Sequence, residues 1–75
     1  MVQYVNYLFE VEGEFPVFVQ VVVSDHSEDE AWAVARWVYS DYEEDEIELD
    51  GAYDDYDAEA LGWDTFTPDD VDDIF

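Results

Sequence analysis

The sequence predicts a small α+β domain, and three patterns support this fold class. Two apolar runs with period two flank a turn containing Gly13 and Pro16, which is typical of a β-hairpin. An apolar stripe at helical spacing follows, and a third alternating run comes after it. The predicted order is β-β-α-β with short C-terminal helical turns. A chain of 75 residues has room for one small core, so residues 1–75 are expected to form a single domain.

The hairpin prediction covers residues 2–11 and 17–23. Because side chains alternate between the two faces of a strand, one face collects most of the apolar residues and is expected to lie in the core. That face carries Val5, Tyr7, Phe9, Val11, Val17, Val19, Val21 and Val23. The opposite face is also too apolar to be fully solvated, since it carries Tyr4, Leu8, Phe18 and Val22. We expect it to contact the C-terminal segment or a partner.

A helix is predicted to begin at Ser27. Ser27 and Glu30 have the spacing of a capping box, in which the serine caps the helix and the glutamate reaches back to it. The apolar stripe of this helix is expected to lie on the hairpin, and it consists of Ala31, Val34, Ala35 and Val38.

The C-terminal half is predicted to contain one strand and two short helical pieces. Residues 46–50 alternate strictly, which places Ile47 and Leu49 inward and is followed by Gly51 as the end or a bend of the strand. Residues 57–61 form a predicted helical turn closed by Gly62. A further helix start is predicted from Thr67 as cap with proline next, leading to an apolar stripe of Val71, Ile74 and Phe75.

The composition combines a core-forming apolar content with an extreme negative charge. The chain is 49% hydrophobic and 19% aromatic, which favours a folded domain over a disordered acidic tail. Its formal net charge is -22, with Arg36 as its single Lys or Arg, whereas solubility of a small domain needs a net charge of only about 2 to 8. Of the 23 acids, 7 lie in residues 1–40 and 16 in residues 41–75. A charge this dense and this localised indicates a functional use.

Several classes of function are disfavoured by the residues present. The chain has no cysteine for a disulfide or zinc thiolate, and a calcium loop starting at Asp55 would place Ala60 and Phe66 where glycine and glutamate are required. The single histidine, His26, has no obvious nucleophile to serve, and phosphate or nucleic acid would be repelled. We therefore expect a non-enzymatic protein without cofactor or metal. The chain shows neither a secretory signal nor a long apolar run, so a cytoplasmic location is expected.

The charge distribution itself is the best candidate for a binding surface. A compact domain about 30 Å across spans about 17 phosphates of duplex DNA, so the carboxylates could present a similar charge density. Aromatic side chains between them would supply apolar contact. The candidate partner-binding residues are Glu43, Glu44, Asp45, Glu46, Glu48, Asp50, Tyr53, Asp54, Asp55, Tyr56, Asp57, Trp63, Asp69, Asp70, Asp72 and Asp73.

In its size, its near lack of basic residues and its aromatic content, the chain resembles the small acidic DNA-mimic proteins of phages and mobile elements. These include anti-restriction proteins, anti-CRISPR proteins and the uracil-DNA glycosylase inhibitor. The resemblance covers the whole chain but involves no shared motif. It implies an inhibitor that occupies the nucleic-acid-binding groove of a nuclease, CRISPR effector or restriction enzyme in the cytoplasm of the host cell.

Two other interpretations remain open from the sequence. The acids could be an adaptation to high salt, as in proteins of salt-loving organisms, or the chain could be an acidic adaptor for a basic protein such as a histone-like protein. An adaptor binds its partner together with DNA, whereas a mimic excludes DNA. A flat edge strand could also pair two copies into a homodimer.

Overall fold

The computed structural model describes residues 3–71. Its main elements are β1 (Tyr4–Val11), β2 (Val17–Val22), α1 (Ser27–Val38), β3 (Ile47–Tyr53), α2 (Asp55–Leu61) and β4 (Asp64–Phe66). Single 3-10 turns lie at Glu44–Glu46, before β3, and at Pro68–Asp70, after β4. The α+β class and the order of the predicted elements are confirmed.

The strands form one mixed sheet in the order β3-β1-β2-β4. β1 pairs antiparallel with both β2 and β3, and β4 runs parallel to β2. β4 was not predicted, because three residues are too few to show a period. In the register with β1, Leu8 lies opposite Gly51 and Phe9 opposite Leu49, so Asp50 is an extra residue in β3. Gly51 therefore lies at a bulge within the strand and does not end it.

The main core lies between the sheet and α1. Phe9, Val19, Ala31, Val34 and Ala35 are fully buried there. The small alanines let α1 lie close to the valine face of the hairpin, as the sequence predicts. The ring of Phe9 on β1 and the ring of Trp32 on α1 pack edge to face. The valine face departs from the prediction at one position, since Val23 follows the end of β2 and is 51% exposed.

A second, smaller core lies on the opposite face of the sheet, under α2. Leu8 and Phe18 from the hairpin are buried against Ala58 of α2, and the Tyr53 ring meets Phe18 edge to face at 5.7 Å. α2 therefore covers the part of this face that carries Leu8 and Phe18, as expected for a face too apolar for water, whereas Tyr4 and Val22 of the same face are 51% and 45% exposed. Both faces of the sheet carry a helix, which gives three layers.

The capping box predicted at the start of α1 is wrong. His26 is the N-cap residue, and its side chain makes no capping hydrogen bond. Ser27 is buried, and its hydroxyl donates to the carbonyl of Ser24 at 3.0 Å and lies 3.3 Å from the Tyr7 hydroxyl. Because this hydroxyl is engaged with the preceding loop and with β1, it does not cap the helix.

The predicted ends of the C-terminal pieces agree better with the structure. Gly62 has φ 75°, and its N–H donates to the carbonyl of Ala58, so α2 ends in the left-handed conformation that favours glycine. Pro68 opens a single 3-10 turn that ends at Asp70, while Ile74 and Phe75 of the predicted apolar stripe lie outside the described residues. The radius of gyration is 11.6 Å, against about 11 Å for a compact chain of this length. The described fold is therefore as compact as expected for its length.

Candidate acidic interaction surface

The carboxylates lie on the outside of the fold. Within residues 3–71 no Asp or Glu is buried, and all except the half-buried Glu10 and Glu30 are exposed. Arg36 lies 3.6 Å from Glu44, and both side chains are about half exposed or more. A surface pair of this kind contributes about 0 to 1 kcal/mol, so it neutralises one carboxylate locally without organising the surface.

Six of these acids line one concave region, which we call the acidic hollow. It has a volume of about 720 Å³ and lies where the β1–β2 hairpin ends beside the start of β3. Its acidic lining consists of Glu10, Glu12, Glu14, Asp45, Glu46 and Glu48. The last three were predicted as partner-binding residues. The first three were missed, because their proximity depends on β3 pairing with β1 and not with another strand.

The pairing of β1 with β3 places like charges opposite each other. Glu10 and Glu48 are direct partners in the antiparallel register, and both line the acidic hollow. Like charges in such a cross-strand pair destabilise a sheet. The fold therefore retains local repulsion at the hollow, and a positively charged ligand would relieve it.

Aromatic hydroxyls hold the edge of the acidic hollow in place. Tyr42 packs its ring on the main core and donates its hydroxyl to Glu14 Oε1 at 2.8 Å. This hydrogen bond, followed by desolvation and the charges of Glu14 and nearby acids, raises the pKa of Tyr42 above its ordinary value of 10.0. Burial, together with Glu14 and Glu10, also raises the pKa of Tyr39. Both phenols stay neutral donors well above neutral pH.

A second set of acids surrounds the start of α2. Asp54 is its N-cap and accepts the N–H of Asp57 at 2.8 Å, so the predicted helical turn begins two residues earlier than residue 57. Asp50 projects from the bulge in β3 and accepts the hydroxyl of Tyr53 at 3.1 Å. This hydrogen bond and the charge of Asp50 raise the pKa of Tyr53.

Asp55 has a structural role that its sequence neighbours do not share. Its Oδ1 accepts the side-chain amides of Asn6 at 2.8 Å and Gln20 at 3.1 Å. Asn6 is 1% exposed and also lies 3.4 Å from the carbonyl of Tyr53. These bonds fix the first turn of α2 to β1 and β2. Asp55 thus anchors the helix that carries Asp54, Tyr56 and Asp57.

The predicted aromatic residues divide between core and surface. Tyr53 is half-buried under α2, whereas Tyr56 is 80% exposed and Trp63 is 37% exposed. Trp63 lies beside the exposed Phe15 of the β1–β2 turn, with ring centroids 6.3 Å apart. Phe15 was not a predicted site residue, and its ring is 80% exposed.

The remaining predicted acids lie in the two 3-10 turns and beyond. The N–H of Glu43 donates to Glu46 Oε2 at 3.0 Å, and the N–H of Thr67 donates to Asp70 Oδ2 at 2.9 Å, so Glu46 and Asp70 each close their own turn. Glu44 and Asp69 are exposed in the same turns. Asp72 and Asp73 lie outside the described residues.

No protein-family model, curated protein or solved structure matches this chain. The assignment of the interaction surface therefore depends on the geometry of this fold alone. Within residues 3–71, no group of three or more His, Cys, Asp or Glu side chains has an arrangement that could hold a metal ion. Over the same residues, no helix is long and apolar enough to cross a membrane.

Proposed function

We propose that this protein is a non-enzymatic DNA mimic that occupies the basic nucleic-acid-binding groove of a host defence protein. The target class is a CRISPR effector or a restriction nuclease in the cytoplasm of the host cell. One observation carries the proposal: no carboxylate of residues 3–71 is buried, all except those of Glu10 and Glu30 are exposed, and Arg36 is the one Lys or Arg that opposes them. A basic groove is the complementary surface for such a charge distribution.

The charge density supports a comparison with duplex DNA. The longest dimension of the fold is 36 Å, and duplex DNA carries one charge per roughly 1.7 Å, so the same length of duplex carries about 21 charges. Residues 3–71 contain 21 of the 23 acids, since Asp72 and Asp73 lie outside the described residues. A basic groove that releases counterions when it binds phosphates would release them in the same way when it binds these carboxylates.

The acidic hollow favours a binding role over salt adaptation. Acidic side chains that serve only to bind hydration water act independently and need no grouping into one site. A concave region lined by charges of one sign, in contrast, focuses the electric field. The repulsion between Glu10 and Glu48 is a cost that hydration alone does not require. A cationic partner in the hollow would offset it.

The first test is capture of host proteins on the tagged domain at about 0.15 M salt, followed by competition with duplex DNA. For each captured nucleic-acid-binding protein, displacement of a fluorescent duplex is measured by anisotropy. A mimic excludes the duplex from its target, and the affinity falls steeply with salt. A stable complex of protein, partner and DNA would instead identify an adaptor.

Matched charge reversals localise the binding surface. The double variant Asp45→Lys/Glu48→Lys changes the acidic hollow, and Asp25→Lys/Glu28→Lys makes the same charge change at the start of α1. We expect the first variant to lose at least about tenfold in affinity for the target and the second to lose less, because like charges across an interface are costly. Equal affinity of wild type and a folded Asp45→Lys/Glu48→Lys variant would refute the role of the hollow. A domain that captures no nucleic-acid-binding protein and folds only in molar salt would refute the mimic and favour salt adaptation.

A further inference from the structure

A groove separate from the acidic hollow lies on the α2 face of the sheet. It has a volume of about 360 Å³ and runs between α2 and the strands β2 and β4. Side chains of the sheet form one part of it, and residues of α2 and the following loop form the rest. The lining residues that matter for recognition are Gln20, Asp55, Glu59, Trp63 and Thr65.

The groove combines an aromatic wall with a negatively charged wall. Trp63 is partly exposed and lies 6.3 Å from the ring of Phe15, so two neighbouring rings face solvent at this end of the sheet. Asp55 and Glu59 are four residues apart on α2, which places them on the same side of the helix. Trp63 and these two acidic residues therefore line the same groove.

The carboxylate of Asp55 is already oriented by the sheet. The amides of Asn6 and Gln20 both donate to Oδ1, and Oδ2 makes no hydrogen bond to any residue in the part of the chain that the structure describes. A carboxylate held in one orientation loses less entropy when it binds a second donor. Glu59 is exposed one turn further along the helix.

We propose that this groove binds an arginine side chain of the partner protein. A planar guanidinium stacks on an indole and donates paired hydrogen bonds to a carboxylate, and Trp63 together with Asp55 or Glu59 offers both surfaces. The inference builds on the proposed function, because proteins that bind nucleic acid use arginine against phosphate. In such a complex a carboxylate of α2 replaces the phosphate, and Trp63 adds a stacking surface like that of a base.

Arginine fits this groove better than the other ligand classes. An anionic ligand would be repelled by Asp55 and Glu59. A lysine ammonium would be attracted by the same charges, but it is a compact, strongly hydrated ion that cannot stack in a plane. The groove should therefore bind an arginine side chain more tightly than a lysine side chain, whereas attraction by negative charge alone would not distinguish the two.

The test compares capped hexa-arginine and hexa-lysine peptides as probes of the isolated domain. We expect the wild-type domain to bind the arginine peptide about threefold more tightly or better, as a single cation–π contact would give. Trp63→Leu should bring this ratio close to one while leaving the affinity for the lysine peptide unchanged. Trp37→Leu is the matched control, since Trp37 is 46% exposed on α1, on the other side of the sheet. It should keep the wild-type ratio.

A second pair of variants tests the carboxylate wall. Glu59→Gln should weaken the arginine peptide more than Glu28→Gln does, although both remove one charge, because Glu28 lies on α1. In nuclear magnetic resonance spectra the indole N–H signal of Trp63 should shift with the arginine peptide, and that of Trp37 should not. This measurement uses the wild-type chain, so it decides the proposal even if a variant fails to fold.

The two proposals fail in different ways. An arginine-to-lysine ratio that is the same in wild type and Trp63→Leu, with no shift of the Trp63 signal, would overturn the arginine groove even if DNA competition supports the mimic. A clear arginine preference that depends on Trp63, combined with a target that binds DNA and this protein together, would keep the groove and overturn the mimic.

Discussion

Replacement of Asn6 by alanine should destabilise the protein more than any other single change at the polar contacts of α2. Asn6 is 1% exposed, and its amide donates to the charged carboxylate of Asp55 at 2.8 Å. A hydrogen bond to a charged group contributes about 1.5 to 3 kcal/mol, and removal of the buried donor leaves an empty space in its place. We expect a loss of about 2 to 3 kcal/mol. A 75-residue domain has a total stability of about 4 to 11 kcal/mol, so the loss is a large share of it.

Thermal and urea unfolding, followed by circular dichroism at fixed salt, would measure this effect. A domain of this size loses about 4 to 8 °C in Tm per kcal/mol, so Asn6→Ala should lower Tm by roughly 10 to 20 °C. Gln20→Ala is the control, because the half-buried Gln20 donates to the same oxygen at 3.1 Å through a solvent-exposed hydrogen bond. It should cost less than about 1 kcal/mol.

A double-mutant cycle separates this bond from the general effect of removing a charge. Asp55→Ala alone relieves some self-repulsion, which partly masks the lost hydrogen bonds. The cycle of Asn6→Ala and Asp55→Ala cancels that contribution and should give a coupling free energy of about 1 kcal/mol or more. An unchanged Tm for Asn6→Ala, or a coupling free energy near zero, would refute the assignment of Asp55 as the anchor of α2.

Three further predictions concern charge and pH. Tm should rise with added salt, because the Debye length falls from about 30 Å at 0.01 M to about 3 Å at 1 M; a Tm independent of salt would contradict this self-repulsion argument. Tyr42 and Tyr53 should ionise above pH 10.0 in the folded state, because hydrogen bonds to Glu14 and Asp50 raise each pKa. Since each folded pKa exceeds the unfolded value, their contribution to stability is full below pH 10.0 and is lost as the pH rises through the folded pKa. A residue-resolved magnetic resonance titration that places the midpoint of Tyr42 or Tyr53 at pH 10.0 would contradict this prediction. A homodimer through the β3 edge should form only at high salt, because the edge carries exposed acids; a dimer in sedimentation at low salt would refute this.

The sequence predicts well the parts of this fold that depend on periodicity. The hairpin, α1 and β3 each carry apolar residues at regular spacing, and the structure places Phe9, Val19 and Val34 in the core that the spacing predicts. Gly62 ends α2 because its positive φ is a local property of glycine. Patterns of this kind need no knowledge of tertiary contacts.

The parts that were missed all depend on which elements become neighbours. β4 has three residues, and its strand conformation comes from parallel pairing with β2. The acidic hollow joins Glu10, Glu12 and Glu14 to acids of the C-terminal half, because β3 pairs with β1. No local signal marks Asp55 as an anchor either, since its partners Asn6 and Gln20 lie on distant strands.

Stability and binding are coupled in this molecule through its charge. The two apolar cores and the anchor of α2 oppose a self-repulsion that is little neutralised within residues 3–71, where Arg36 with Glu44 is the one salt bridge. A cationic partner binds the folded arrangement of carboxylates more strongly than the unfolded chain, where the acids are further apart. Such binding shifts the equilibrium toward the folded state by mass action. The same repulsion that weakens the isolated domain therefore contributes to the free energy of binding a basic groove.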